Sequence, residues 1–120
     1  MPMPSKPIRL VVPLIPPSVN SYVRHTRSGR HYVTAAAKAF KAAVALVARR
    51  QKVEGDSYQV KIAIYLGKGD RGDLDNFGKV VLDSIVAAGV IHSDAAVSEI
   101  FMQKFRDPQN PRTVIEVEGN

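Results

Sequence analysis

The nine residues YQVKIAIYL (58–66) constrain the fold more than any other stretch. Tyr58, Val60, Ile62, Ile64 and Leu66 alternate with Gln59, Lys61, Ala63 and Tyr65. Side chains two apart on an extended chain share a face, so the pattern predicts a strand that is apolar on one side and mixed on the other. Such a strand needs neighbours in a sheet and a layer that covers its apolar face. Two helical patterns supply the cover. Thr34 can cap the alanine-rich AAAKAFKAAVALVARR (35–50), where Phe40, Val44 and Val47 recur at helical spacing. Arg49, Arg50 and Lys52 suit the negative end of its dipole. A second helix is predicted over 75–88, where Leu74, Phe77, Val81, Ile85 and Ala88 step by 3, 4, 4 and 3 and Gly89 suits the C′ position.

The other elements follow from β-branched runs and turn residues. IRLVVPL (8–14) reads as a buried strand that Pro13 marks as an edge or an end. PPSVN (16–20) and EGDS (54–57) are turns, and RHTRSGRHYV (24–33) folds around Ser28-Gly29 as a basic hairpin or flap. VSEIFMQKF (97–105) and TVIEVE (113–118) are strands separated by the turn-forming DPQNPR. With no repeat and no linker, residues 1–120 are expected to form one α+β domain, a mixed sheet of about four strands with two main helices.

Composition narrows the chemistry. There is no cysteine, which excludes disulfides and thiolate metal sites. No apolar run approaches the roughly 18 residues of a membrane span, and the first residues lack a signal-peptide core, so a cytoplasmic setting without membrane contact is expected. Seventeen Lys and Arg against eleven Asp and Glu leave a formal charge of +6, which favours polyanionic partners.

GKGDRGDLDN (67–76) joins the alternating strand to the second helix, and it invites two readings. Gly67, Gly69 and Gly72 have the G-x-G-x-x-G spacing of a dinucleotide loop, and Asp94 follows 22 residues after Gly72. In that motif, however, the helix starts within the glycines so that its amides meet the pyrophosphate. Here Asp-Leu-Asp intervenes, three carboxylates (Asp70, Asp73 and Asp75) would repel phosphate, and the strands after residue 97 break the β-α alternation. No nucleotide cofactor is therefore expected. Asp73 and Asp75 would point about 200° apart within a helix, but they converge where an extended loop meets a helix start. Asp94 in GVIHSDAAVSEI could return a third carboxylate to the pair across a short turn. Each aspartate alone also suits a cap or a turn, Asp75–Lys79 suits a surface ion pair, and Asp70 and Asp83 read as loop and solvated helix residues. Oxygen donors without thiolates point to Mg²⁺ or Mn²⁺. The EF-hand pattern fails at Phe77 and Ser84, and His25, His31 and His92 lack zinc-site spacing.

The run D-L-D-N-x-x-K-x-x-x-D-x-[ILV], then G-V-I-x-x-D-x-x-V, resembles the RusA family of Holliday junction resolvases. So does Pro16-Pro17-Ser18-Val19-Asn20 followed by Arg24-His25, and the similarity spans nearly the whole chain. The resemblance implies a homodimeric, Mg²⁺-dependent endonuclease, often carried by phages and prophages, that cuts four-way DNA junctions by paired nicks. It implies catalytic, metal-holding roles for Asp73, Asp75 and Asp94, and a catalytic role for Lys79. One departure is that members often carry arginine directly before the first aspartate, whereas Gly72 stands here and Arg71 lies one earlier. An acidic metal site of this kind supplies the activated water that phosphodiester hydrolysis can use, and Lys79 could stabilise the charged phosphate. Arg24, Arg27 and Arg30 of the flap, with Lys68 and Arg71 beside the acids, are the candidate contacts to neighbouring DNA phosphates. A non-catalytic junction-binding protein of the same fold is the alternative.

Overall fold

The computed structural model describes residues 7–17, 23–25, 31–70 and 74–120. Along the chain these form β1 (Ile8–Val12), β2 (Val23–His25), β3 (His31–Val33), α1 (Ala35–Ala48), β4 (Tyr58–Leu66) and α2 (Asp75–Ala87). A 3₁₀ turn (Asp94–Ala96), β5 (Val97–Arg106) and β6 (Arg112–Gly119) complete the order. The main sheet has four strands in the order β1-β6-β4-β5, and β2 and β3 pair separately as the expected hairpin, with Arg24 opposite Tyr32.

β4 is the hinge of the topology. It runs antiparallel to β6, with Ile62 opposite Ile115, and parallel to β5, with Ile62 opposite Met102. A parallel pair cannot be joined by a tight turn, and α2 makes the crossover. β1 closes the other edge antiparallel to β6, with Leu10 opposite Ile115. The alternation predicted for 58–66 is present residue by residue: Tyr58, Val60, Ile62, Ile64 and Leu66 are all buried.

Both helices cover this apolar face. Phe40 and Val44 of α1 and Phe77, Val80, Val81 and Ile85 of α2 share one core with Leu10, Val12, Ile62, Ile64, Ile115 and Val117. Each such side chain contributes about 1.5–3 kcal/mol on burial, which outweighs any local propensity in fixing where the helices lie. Ser84, buried within α2, returns its hydroxyl to the Val80 carbonyl at 2.6 Å and so places no unpaired polar group in the core.

The ends of the elements show where local chemistry decides. Thr34 Oγ1 accepts from the Ala37 amide at 3.3 Å, the predicted N-cap of α1. Gly89 has φ +79°, as its position after α2 demands. α1 stops two residues short of the predicted end, because Arg49 and Arg50 take left-handed φ values of 50° and 61°. β1 likewise stops at Val12, before Pro13, which has no amide to give the ladder. Among the described residues no helix is long and apolar enough to cross a membrane.

Candidate active site

The acidic segment begins as a tight, internally bonded turn. The Gly67 amide donates to Asp70 Oδ2 at 2.6 Å, and the Asp70 amide donates back to the Gly67 carbonyl at 3.2 Å. Gly69 stands between them at φ +81°. A Cβ on Gly67 would lie 2.9 Å from Asp70 Oδ2 and 2.9 Å from Pro111 Cγ. Gly67 is therefore close-packed, and Gly69 supplies the positive φ of a tight turn over residues 67–70. Asp70, read from sequence as a plain loop residue, closes that turn. Its carboxylate also occupies the Gly67 amide that a phosphate cradle would use.

Asp73 and Arg71 lie outside the described residues, as do Arg27 and Arg30. Asp75 is the first residue of α2, after Leu74, whose backbone is already helical (φ −55°, ψ −42°) and which offers no side-chain cap. Lys79 stands one turn further on and is exposed. Its Nζ lies 3.7 Å from Asp83 Oδ2, so the ion pair runs forward along the helix. With the lysine side chain 60% exposed, such a pair contributes only about 0.3–0.5 kcal/mol and is easily exchanged for another anion.

Asp94 is presented by the 3₁₀ turn after α2. Ser93 Oγ accepts from the Ala95 amide at 3.1 Å and caps the turn, which leaves the Asp94 side chain exposed. The crossover topology then has a consequence that spacing along the chain conceals. Asp75 follows the C-terminal end of β4, whereas Asp94 precedes the N-terminal end of β5, and those two strands are parallel. Gly78 of α2 lies against Met102, halfway along β5. From there back to Val97 is five residues, about 17 Å of strand. Asp75 and Asp94 thus sit at opposite ends of the crossover, on the order of 15 Å apart. Ligands of one Mg²⁺ approach it to about 2.1 Å, which that separation does not permit within one protomer. Among the described residues no three His, Asp or Glu side chains converge as a metal site.

Of the candidate DNA contacts, Lys68 is exposed on the turn, and Arg24 lies in the β2–β3 hairpin. His92, left without a role by the sequence, is exposed and sets its ring 5.3 Å from that of Tyr58.

Known proteins resemble this sequence. The sequence model of the family described as endodeoxyribonuclease RusA matches residues 13–118. A protein of Escherichia coli strain K12, crossover junction endodeoxyribonuclease RusA, is 39% identical over 85 residues, which cover 68% of this chain and 70% of that protein. The protein of the same name from Enterobacteria phage 82 is 38% identical over the same shares, and that from Shigella sonnei is 36% identical. The matched range takes in both helices, the acidic turn, Asp94, β4, β5 and all but the last residue of β6, leaving out the edge strand β1, and on that ground the chain belongs to the RusA endodeoxyribonuclease family.

Proposed function

We propose that this protein is a Mg²⁺-dependent, structure-selective DNA endonuclease that resolves four-way junctions by paired symmetric nicks, in cytoplasmic DNA recombination and repair. The observation that carries the reading is Asp73-Leu74-Asp75 at the head of α2, in a chain that matches the family from residue 13 to residue 118. Carboxylate donors with no thiolate suit Mg²⁺, and Asp73, Asp75 and Asp94 would hold it. Such an ion, when bound, would supply Lewis acidity at the scissile phosphate. Lys79, exposed one turn beyond Asp75, offers a mobile ammonium to the charge that grows on that phosphate. Lys68 and the flap arginines would bind flanking phosphates, which is consistent with the net charge of +6.

A homodimer accounts for the gap between Asp75 and Asp94. β5 is a ten-residue strand at the sheet edge, with Ile100, Phe101 and Phe105 exposed. An uncovered edge of that length is a template for another strand. Antiparallel pairing with the β5 of a second copy would bring the start of each strand, and hence Asp94, beside the partner's acidic turn. The resulting two-fold pair of sites suits a nearly two-fold junction.

End-labelled four-way junctions with Mg²⁺ test the function. Symmetric nicks should appear, and Asp73→Asn should abolish them while junction binding persists. Binding without nicks across Mg²⁺ and Mn²⁺ would instead establish a non-catalytic junction binder. Mixing Asp73→Asn with Asp94→Asn tests the shared site. Each variant alone should be silent, and the mixed dimer should regain one intact site. A silent mixture, under conditions where subunits exchange, would confine each site to one protomer.

A further inference from the structure

The end of β5 carries an arginine that the proposed reaction has not used. Arg106 stands in register opposite Leu66, the last residue of β4, at the point where the chain leaves the sheet for the acidic turn. Its Nη1 donates to the Gly67 carbonyl at 2.8 Å, and its Nη2 reaches the Asp70 carbonyl at 3.4 Å. One guanidinium thus spans both ends of the turn that the Asp70 carboxylate closes from within. The backbone beneath it is also held. The Asp107 amide donates to the Leu66 carbonyl at 2.8 Å, and Arg112 bonds Asp107 Oδ2 at 2.8 Å with its guanidinium 3.8 Å from the Tyr65 ring centre.

We infer that Arg106 is a positioning residue, a clasp that sets the direction in which the chain departs from Asp70 toward the acids of α2. This inference rests on the proposed nuclease reading. Only two residues separate Asp70 from Asp73, and three chain steps span at most about 10 Å, so the place of Asp70 bounds the reach of Asp73. Carboxylates that act on a phosphate must be held to within about 0.5 Å, and a misplacement of about 1 Å can cost on the order of 100-fold in rate. The forked side chain matters because the two carbonyls belong to residues three apart. A lysine, with one compact ammonium, keeps the charge but not the fixed two-armed geometry. A plain phosphate contact would be the rival role for an exposed arginine here, and it predicts the opposite split between binding and rate.

The experiment compares wild type, Arg106→Ala and Arg106→Lys in three measurements. Hydrogen exchange of peptides spanning residues 67–77 reads the clasp without any need for cleavage. Nicking of saturating junction reads the acids, and junction affinity reads DNA contact. Arg106→Ala should speed exchange in 67–77 but not in α1 or β6, and should lower the single-turnover rate by about 10- to 100-fold. Junction affinity should change by less than about 3-fold, and Arg106→Lys should recover part of both the protection and the rate. Unchanged exchange in Arg106→Ala, or full recovery by lysine, would overturn the clasp. So would weakened junction binding with normal nicking of what is bound. If Arg106→Ala fails to fold, Arg106→Lys decides alone: wild-type protection and rate would refute the forked geometry. If wild type nicks no junction, the nuclease reading fails, and exchange in 67–77 still decides whether Arg106 holds the turn.

Discussion

Adding one methyl group at Gly67 tests the geometry of the acidic turn. In Gly67→Ala the new Cβ would stand 2.9 Å from Asp70 Oδ2 and 2.9 Å from Pro111 Cγ, where ordinary carbon contacts lie near 3.5–4.0 Å. The carboxylate can retreat only by giving up its 2.6 Å bond to the Gly67 amide, a charged hydrogen bond of about 1.5–3 kcal/mol. The proline ring can yield only by shifting its loop, and overpacking of this kind costs about 1–3 kcal/mol. The stiffer unfolded chain of alanine returns about 0.4–1 kcal/mol. Partial relief on both sides leaves a net loss of about 2 kcal/mol. For 120 residues, with about 2.1 cal/mol/K of unfolding entropy per residue, that lowers Tm by about 8 °C. Urea and thermal unfolding at one fixed protein concentration would measure it, since association shifts apparent stability. In an Asp70→Ala background the carboxylate is gone, and the same substitution should cost at least about 1 kcal/mol less. A loss under about 0.5 kcal/mol, or an equal loss in both backgrounds, would refute the turn as described.

Other expectations follow from single contacts. Thr34→Ala should remove the cap of α1 and lower stability by about 1 kcal/mol in urea unfolding, whereas Thr34→Ser should hold most of it. Tyr58 is buried and its hydroxyl has no partner among the described residues, so Tyr58→Phe should be neutral or stabilising by up to about 1 kcal/mol; a loss above that would reveal a partner. Lys79→Ala should slow nicking by 100-fold or more while junction affinity changes little, and equal losses in both would deny it a role in the chemistry. Phe101→Asp on the exposed β5 edge should shift light scattering from dimer toward monomer, and an unchanged mass would move the dimer contact elsewhere.

What the sequence revealed and what it hid divide by range. The strand at 58–66 was legible because its alternation is local and its buried face leaves one register. Gly89 and Thr34 were legible because a C′ glycine and an N-cap need only their own helix. The left-handed Arg49 and Arg50 were not, since nothing in a basic, alanine-rich run marks where the helix must turn away. The separation of Asp75 from Asp94 follows from β4 and β5 being parallel, a pairing between residues about forty apart that no window of sequence contains. Arg106 was missed for the same reason. Its carbonyl partners lie 39 and 36 residues earlier, and an arginine at a strand end carries no local sign of them. Asp70 left no such trace either, since aspartates in turns commonly bond backbone two residues onward, whereas Asp70 accepts from the amide three residues back.

The most direct test is a supercoiled plasmid that extrudes a cruciform, incubated with the protein and Mg²⁺. Paired nicks across the junction should linearise it, with a matched plasmid lacking the inverted repeat left supercoiled, and Asp75→Asn should yield neither linear nor nicked DNA. Equal nicking of both plasmids, or a cruciform that is bound and stays uncut, would contradict a junction-resolving nuclease.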